Sequence, residues 1–317
     1  MILYILRRIL YTVPIALAVG FVCFMLVQIA PGDPINAILP ADAPKEVADM
    51  LRRAYGLDQP LPVQFWLWLT HVAQGDLGRS LATGRPVTAD LANAVGNTLV
   101  LAVAAALIGF VAGSVLGGAA AAWRGTAVDR GAIGLAVVGV SIPHYWLGMV
   151  LVILFSVLWP ILPATGISSD GSGSWAWDMA HIPHLILPAV TLAVIPTGLI
   201  ARTVRGVAGD ILNQDFVTTL RGKGLRPFGI FRHVVKNAAP NVLAVMGLQL
   251  GYLMGGSILV ETVFNWPGTG LLLNTAIFQR DIPVLQGTIL VLALFFVAIN
   301  LAVDILQTAI DPRVRRG

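Results

Sequence analysis

Six stretches of this chain stay apolar for about as long as a helix needs to cross a bilayer, roughly 20 residues. They fall near 9–30, 95–123, 131–160, 182–204, 240–262 and 284–309. Composition leaves no room for a water-facing shell around them: 57% of the 317 residues are hydrophobic and only 11% are charged, against about 25% charged in a soluble domain. Lipid offers no partner for backbone N–H and C=O groups, so apolar runs of this length must become helices. The expected fold is therefore an all-α polytopic membrane protein with six transmembrane helices. The opening MILYILRRIL runs on in apolar residues to about Ala30 with no small-residue cleavage pattern. It is expected to remain as the first span.

Charge sets the expected direction. With the N-terminus inside, the inner segments hold 14 of the 20 basic residues, including Arg7, Arg8, Arg124, Arg130, Arg202, Arg205, Arg221, Lys223, Arg226, Arg232 and Lys236. Lys45, Arg52, Arg53, Arg79, Arg85 and Arg280 fall outside. Basic residues near span ends favour the cytoplasm, so both termini are expected there, and the positive net charge calls for no nucleic acid. Prolines mark two uneven spans: Pro143 and Pro160 in the third, Pro188 and Pro196 in the fourth. Each proline removes a helical donor, and the fourth span could also break or re-enter. Cys23 is the lone cysteine, which excludes an internal disulfide.

The largest outer segment, 31–94, holds two short helical pieces. APKEVADMLRRAYG has Pro44 near its start and Gly56 near its end. LPVQFWLWL is amphipathic and puts Phe65, Trp66 and Trp68 where aromatic rings favour a membrane interface. Both pieces read either as a cap over the outer mouth or as packing for span ends.

Within the bilayer, Gly109, Gly113 and Gly117 repeat a small-xxx-small step, and Gly251, Gly255 and Gly256 crowd the fifth span. Such faces let helices approach closely; they suit a sliding pore and a static bundle equally. Glu261 sits near the outer end of the fifth span, where an interfacial place is expected. Asp304 falls in the last apolar run, where a carboxylate is expensive. It reads as an ion-coupling site or, better, as a structural group paired with a neighbour. His181 and His184, with His144 in a neighbouring span, lack the spacing of a convincing metal set. RGKG at 221–224 lacks the strand and glycine spacing of a phosphate loop, so the chain is not expected to hydrolyse nucleotide.

Between the fourth and fifth spans runs a basic loop, RTVRGVAGDILNQDFVTTLRGKGLRPFGIFRHVVK, from Arg202 to Lys236. Asp215 suits the positive end of a short helix, on which Phe216 and Leu220 share a face. Gly222 and Gly224 then interrupt it. Phe228, Ile230 and Phe231 supply an apolar knob, and Arg226, Arg232 and Lys236 its charged edges. A knob of this kind gains affinity by desolvation and register from its charges. It reads as a contact for a soluble partner, or else as a basic loop that fixes topology and touches anionic lipid.

The chain resembles the permease subunits of bacterial ABC importers of the dipeptide, oligopeptide and nickel group, in particular the first of the two permeases such systems encode. The resemblance spans nearly the whole length, in RRILYTVPIALAVGFVCFMLVQIAPGDP (7–34), YGLDQPLPVQFWLWL (55–69), GDLGRS (75–80), SIPHYWLG (141–148), DFVTTLRGKG (215–224), VETVFNWPGTG (260–270) and DPRVR (311–315). It implies the type I importer fold, with 1–317 as one permease domain, 31–94 as a periplasmic loop and 205–237 as a cytoplasmic coupling-helix loop. The family signature Glu-Ala-Ala, three residues, Gly falls on Thr218, Thr219, Leu220 and Gly224, a departure in its first three residues; Lys236 and Asn237 also replace an expected Leu-Pro. By resemblance, Asp215, Thr219, Leu220, Gly222, Lys223, Gly224, Phe228 and Phe231 couple to an ATPase. Asp76, Leu77, Gly78, Arg79 and Ser80 are expected at the outer gate or facing a binding protein.

The implied partners are a second homologous permease forming a heterodimer, two ATP-binding subunits that hold ATP and magnesium, a periplasmic or lipoprotein substrate-binding protein, and membrane lipid. No cofactor is expected in this chain. The implied function is half of the translocation path for dipeptides or oligopeptides in the bacterial inner membrane, with nickel, glutathione or another small solute as alternatives. An ion-coupled secondary carrier remains a rival of another class, although neither inverted repeats nor an intramembrane charge network is evident.

Overall fold

The computed structural model describes residues 2–29, 44–54 and 58–310. Among these residues the chain is helical: α1 Ile2–Ile29, α2 Lys45–Ala54, α3 Leu61–Ala73, α4 Val87–Ala122, α5 Ala127–Ser141, α6 His144–Val152, α7 Ile182–Leu212, α8 Asp215–Gly222, α9 Pro227–Val263, α10 Thr269–Gln279 and α11 Ile282–Ile310. A π-helical segment, Ile153–Leu158, continues α6.

The expectation of six transmembrane helices is corrected. Among the described residues four helices are long and apolar enough to cross a bilayer: Val87–Ala122, Ile182–Leu212, Pro227–Val263 and Ile282–Val303. A fifth counts only if α5 and the α6 segment form one span, and these are bent by 98° at their junction. Ile142 there is extended, with ψ 129°, as the residue before a proline prefers, and Pro143 brings no N–H to continue the helix. In the first predicted span, α1 Ile2–Ile29, the described residues give only a shorter apolar helix, Val13–Met25. Prolines do not break α7, which runs through Pro188 and Pro196. Beside them Thr191 and Thr197 donate to the carbonyls of Leu187 and Ala193. The fifth predicted span begins earlier than expected, because Pro227 opens α9 and Pro240 lies inside it. Pro at the first helical turn costs no hydrogen bond.

The chain divides into two compact units. The first joins Met1–Thr98 to Pro267–Val297. Its apolar centre sets Val87 and Leu91 of α4 against Ala276 of α10 and Val284 of α11, with Leu77, Leu272, Leu285 and Val291 around them. Phe65 and Trp68 of α3 pack on Phe24 of α1 with ring centroids 5.5 and 6.0 Å apart, while Trp66 stays exposed. The start of α4 is polar yet helical: Asn97 donates to Pro267 O at 2.8 Å, and the Thr98 and Thr269 hydroxyls lie 3.0 Å apart.

The second unit joins Leu99–Trp266 to Ala298–Gly317, and glycines set its packing. A Cβ at Gly109 would come within 2.9 Å of Pro196 Cβ, and one at Gly113 within 2.8 Å of Thr197 O. At Gly117 it would collide with Ala201 O. The small-residue face of α4 is therefore a seam with α7, where the backbones meet too closely for any side chain. On another face of α7, a Cβ at Gly198 would lie 2.5 Å from Ala136 O of α5. Glu261 is fully buried. It precedes a tight turn in which Trp266 N–H donates to Glu261 O at 2.8 Å and Asn265 takes φ +46°, a region asparagine tolerates better than most residues. The side chain of Asp304 lies outside the described ones.

Candidate functional site

The basic segment after α7 folds into an elbow of two helices. Gln214 is extended, with ψ 146°, so the chain turns before α8 starts at Asp215. Asp215 places its negative charge beside the unsatisfied N–H groups of the first turn. The Thr219 hydroxyl donates back to Asp215 O at 3.0 Å. α8 ends at Gly222, and Gly224 takes φ +76°, a left-handed conformation that a residue without Cβ adopts at little cost. The Leu225 N–H then closes onto Leu220 O at 3.1 Å, and Pro227 starts α9.

One face of this elbow is anchored. Val217 is fully buried against Ala121, Ala208, Ile211, Val234, Ala238 and Val242, and Phe216 and Ile230 pack on the same cluster. Ile230 was expected in the exposed knob; as a residue of the first α9 turn it points inward with Val234, four positions on. The opposite face is open. Phe228 is 77% and Phe231 59% exposed, and their rings stack with centroids 6.3 Å apart. Asp215, Thr219, Gly222, Lys223 and Gly224 are exposed beside them, and Leu220 is half-buried. The eight expected residues therefore share one surface element, with two bare aromatic rings backed by a fixed core.

α7 reaches the elbow under restraint. Arg205 donates from Nε and Nη2 to the two carboxylate oxygens of Asp129, at 2.5 and 2.8 Å. Asp129, at the start of α5, also accepts from the Gly125 N–H at 2.9 Å. A forked guanidinium on a carboxylate fixes orientation as well as distance. Sequence reading counted Arg205 only as a topological charge. The buried aspartate directly before the basic Arg130 gave no separate signal.

GDLGRS forms a second polar centre, in the first unit. Gly78, at φ +82°, accepts from Val87 N–H through its carbonyl, and its own N–H donates to Asp76 at 2.9 Å. Arg79 reaches Gly84 O. Asp76, Gly78 and Arg79 are exposed, Leu77 is half-buried, and Ser80 is buried. The Ser80 hydroxyl donates to Asp281 Oδ2 at 2.5 Å. The Leu81 and Ala82 N–H groups donate to the two oxygens of Asp281 at 3.1 and 3.2 Å. Asp281 is only 2% exposed. Asp281 was missed, although its place before Ile282 and Pro283 is a helix-start pattern.

Between α6 and α7 the loop 159–181 closes on His181. Its Nδ1 lies 2.6 Å from Asp178 Oδ1 and its Nε2 2.8 Å from Ser172 Oγ. Trp175 covers the ring at 5.5 Å between centroids. Asp178 beside it raises the imidazole pKa above its ordinary value, against the opposing effect of burial. His184 turns away, with Nδ1 3.0 Å from Thr165 O. No metal-type grouping of three or more His, Cys, Asp or Glu occurs among the described residues.

Comparison with known proteins adds the family. Residues 109–316 match the family described as binding-protein-dependent transport system inner membrane component, and residues 1–102 match its N-terminal part. The chain is 41% identical over 313 residues to the glutathione transport system permease protein GsiC of Salmonella typhimurium, covering 98% of each. It is 40% identical to that of Pectobacterium atrosepticum and 39% to that of Escherichia coli, at the same coverage. Among solved structures, the inward-facing MetNI methionine ABC transporter superposes with TM-score 0.57 at 20% identity, over 70% of this chain and 96% of that one. This likeness concerns the fold alone, and it is to the type I importer fold.

Proposed function

We propose that this chain, which belongs to the inner-membrane components of binding-protein-dependent transport systems, forms half of the translocation path of an ATP-driven importer for glutathione or closely related small peptides. It is a multi-pass inner-membrane permease of the peptide, nickel and glutathione type and carries no catalytic role of its own. The glutathione transport named for these relatives favours glutathione over the dipeptide or oligopeptide reading. Nickel is the weaker alternative, since nothing among the described residues groups as a metal site.

The observation that carries the reading is the elbow. Two exposed phenylalanines stand on a helix whose other face is locked into the membrane bundle. In this reading the elbow is cytoplasmic and seats in a groove of an ATPase subunit. The rings provide apolar contact, and α7 and α9 carry the ATPase's motion into the bilayer. The partners are a second, homologous permease, two ATP-binding subunits and a binding protein outside, with this chain as the first permease and GDLGRS on the binding-protein side.

The test is uptake by the purified full complex in vesicles, with its binding protein and a panel of glutathione, di- and tripeptides, and nickel. ATP-dependent uptake of glutathione or small peptides, lost on Leu220→Asp with Phe231→Asp, is expected. Uptake driven by a proton gradient through the isolated chain would overturn the reading.

A further inference from the structure

The membrane-spanning part of the second unit holds polar atoms that its own fold leaves unsatisfied. His144 Nε2, Ser156 Oγ and Gln249 Oε1 are shielded from solvent, and none has a hydrogen-bond partner among the described residues. In lipid such groups are costly, and native interiors rarely keep them without a use.

Two of the three lie on α6 and α9, which pack against each other. Gln249, Tyr252 and Gly256 stand at i, i+3 and i+7 on α9, which is one helix face. The Tyr252 ring folds over Gly256, 3.1 Å from where a Cβ would stand. α6 packs on the end of the same helix: a Cβ at Gly148, one turn after His144, would come within 3.0 Å of the Phe264 ring that closes α9. His144 also follows directly on the 98° break at Ile142 and Pro143. Irregular backbone at membrane depth survives only where protein covers it or where it lines a water-filled cavity. Orphaned polar atoms and a broken helix meet here.

We propose that Gln249, Tyr252 and His144 are cargo-facing residues of the translocation path, hydrogen-bonding the amide groups of a peptide-type solute in transit. The inference rests on the importer reading above. The three side chains are all neutral amide, phenol or imidazole groups. A carboxamide both donates and accepts, a phenol does the same, and an imidazole offers one of each. That set matches a peptide unit, one N–H and one C=O, better than it matches a metal ion or a carboxylate. A path must also release what it binds, which favours a few neutral contacts over a charged clamp. The competing occupant of this face is the second permease.

The test uses the complete complex with Cys23→Ser and a single new thiol, Gln249→Cys, and Tyr252→Cys as the second variant. A water-soluble methanethiosulfonate is the probe, with S-methylglutathione and trialanine, both free of thiol, as cargo. Labelling is expected at both positions. It should be about tenfold slower when cargo is present at ten times its half-saturating concentration, the protection mass action gives. Absence of labelling, labelling at a rate indifferent to cargo, or failure of both variants to assemble with the partner permease each overturns the proposal. Labelling and protection do not require ATP. A wild-type complex that fails to take up cargo on ATP addition would therefore refute the importer reading separately.

Discussion

Each compact unit is fastened by one buried aspartate, and the two do so by opposite chemistry. In the first unit Asp281 gathers a serine hydroxyl and three backbone N–H groups. In the second Asp129 meets the forked guanidinium of Arg205. Backbone donors cannot change length or rotate away, so the Asp281 centre fixes the loop at Ser80–Ala82 to the start of α11 in one geometry. A side-chain ion pair fixes α5 to α7 but can release and re-form. The second unit also contains the elbow, the element proposed to move with a partner. The contrast suggests a rigid loop anchor in one unit and a releasable restraint in the other.

The largest effect should follow loss of Asp281. Asp281→Ala leaves four donors, the Ser80 hydroxyl and the Leu81, Ala82 and Val284 N–H groups, without their acceptor, at a cost of roughly 2–4 kcal/mol, read as a fall in the unfolding midpoint of the purified complex. Ser80→Ala should cost about 1–2 kcal/mol, since it removes the hydroxyl's bonds to Asp281 and from the Thr83 N–H and leaves the backbone donors on Asp281 in place. Equal effects of the two would break the picture of an amide-gripped loop. Next, Gly113→Leu should cost about 1–3 kcal/mol by forcing α4 off the α7 seam, read the same way. A neutral outcome would mean that the seam is not closed in the working protein.

Arg205→Lys keeps the charge and loses the fork. It should leave stability nearly unchanged while lowering uptake per ATP about threefold, within the range typical of weakened restraints. A variant with wild-type coupling would reduce the ion pair to packing. The smallest effect concerns His181. Its folded pKa lies above the ordinary 6.5. The stabilisation from the protonated ring on Asp178 is therefore complete below about 6.5 and fades as pH rises through the higher folded value. Trp175 fluorescence should report a small loosening of the 159–181 loop over that rise, absent in His181→Gln. Loosening on acidification instead would contradict the sign.

Sequence legibility followed the same division. Long apolar runs announced α4, α7, α9 and α11, because hydropathy averaged over a span needs no partner to be read. The start of α4 was not legible: the span was placed from 95, whereas the helix begins at Val87, and Asn97 and Thr98 in it bond to Pro267 O and Thr269. Proline was ambiguous for a physical reason. Pro143 breaks a helix and Pro188, Pro196 and Pro240 do not, because tertiary packing decides whether the lost bond is tolerated. The short helix at 215–222 was visible in Asp215 and the two glycines that end it. The inward turn of Ile230 was not, since it needed α9 to begin at Pro227. Asp129 and Asp281 stayed hidden because their partners lie 76 and 201 positions away.

The central claim is that the elbow's aromatic face receives motion from an ATPase. The direct measurement places the photocrosslinking residue p-benzoylphenylalanine at Phe231 in the complete complex and irradiates it without nucleotide and with bound ATP. The account predicts adducts with an ATPase subunit whose yield changes between the two states. Adducts with lipid or with this chain alone, in both states, would contradict it.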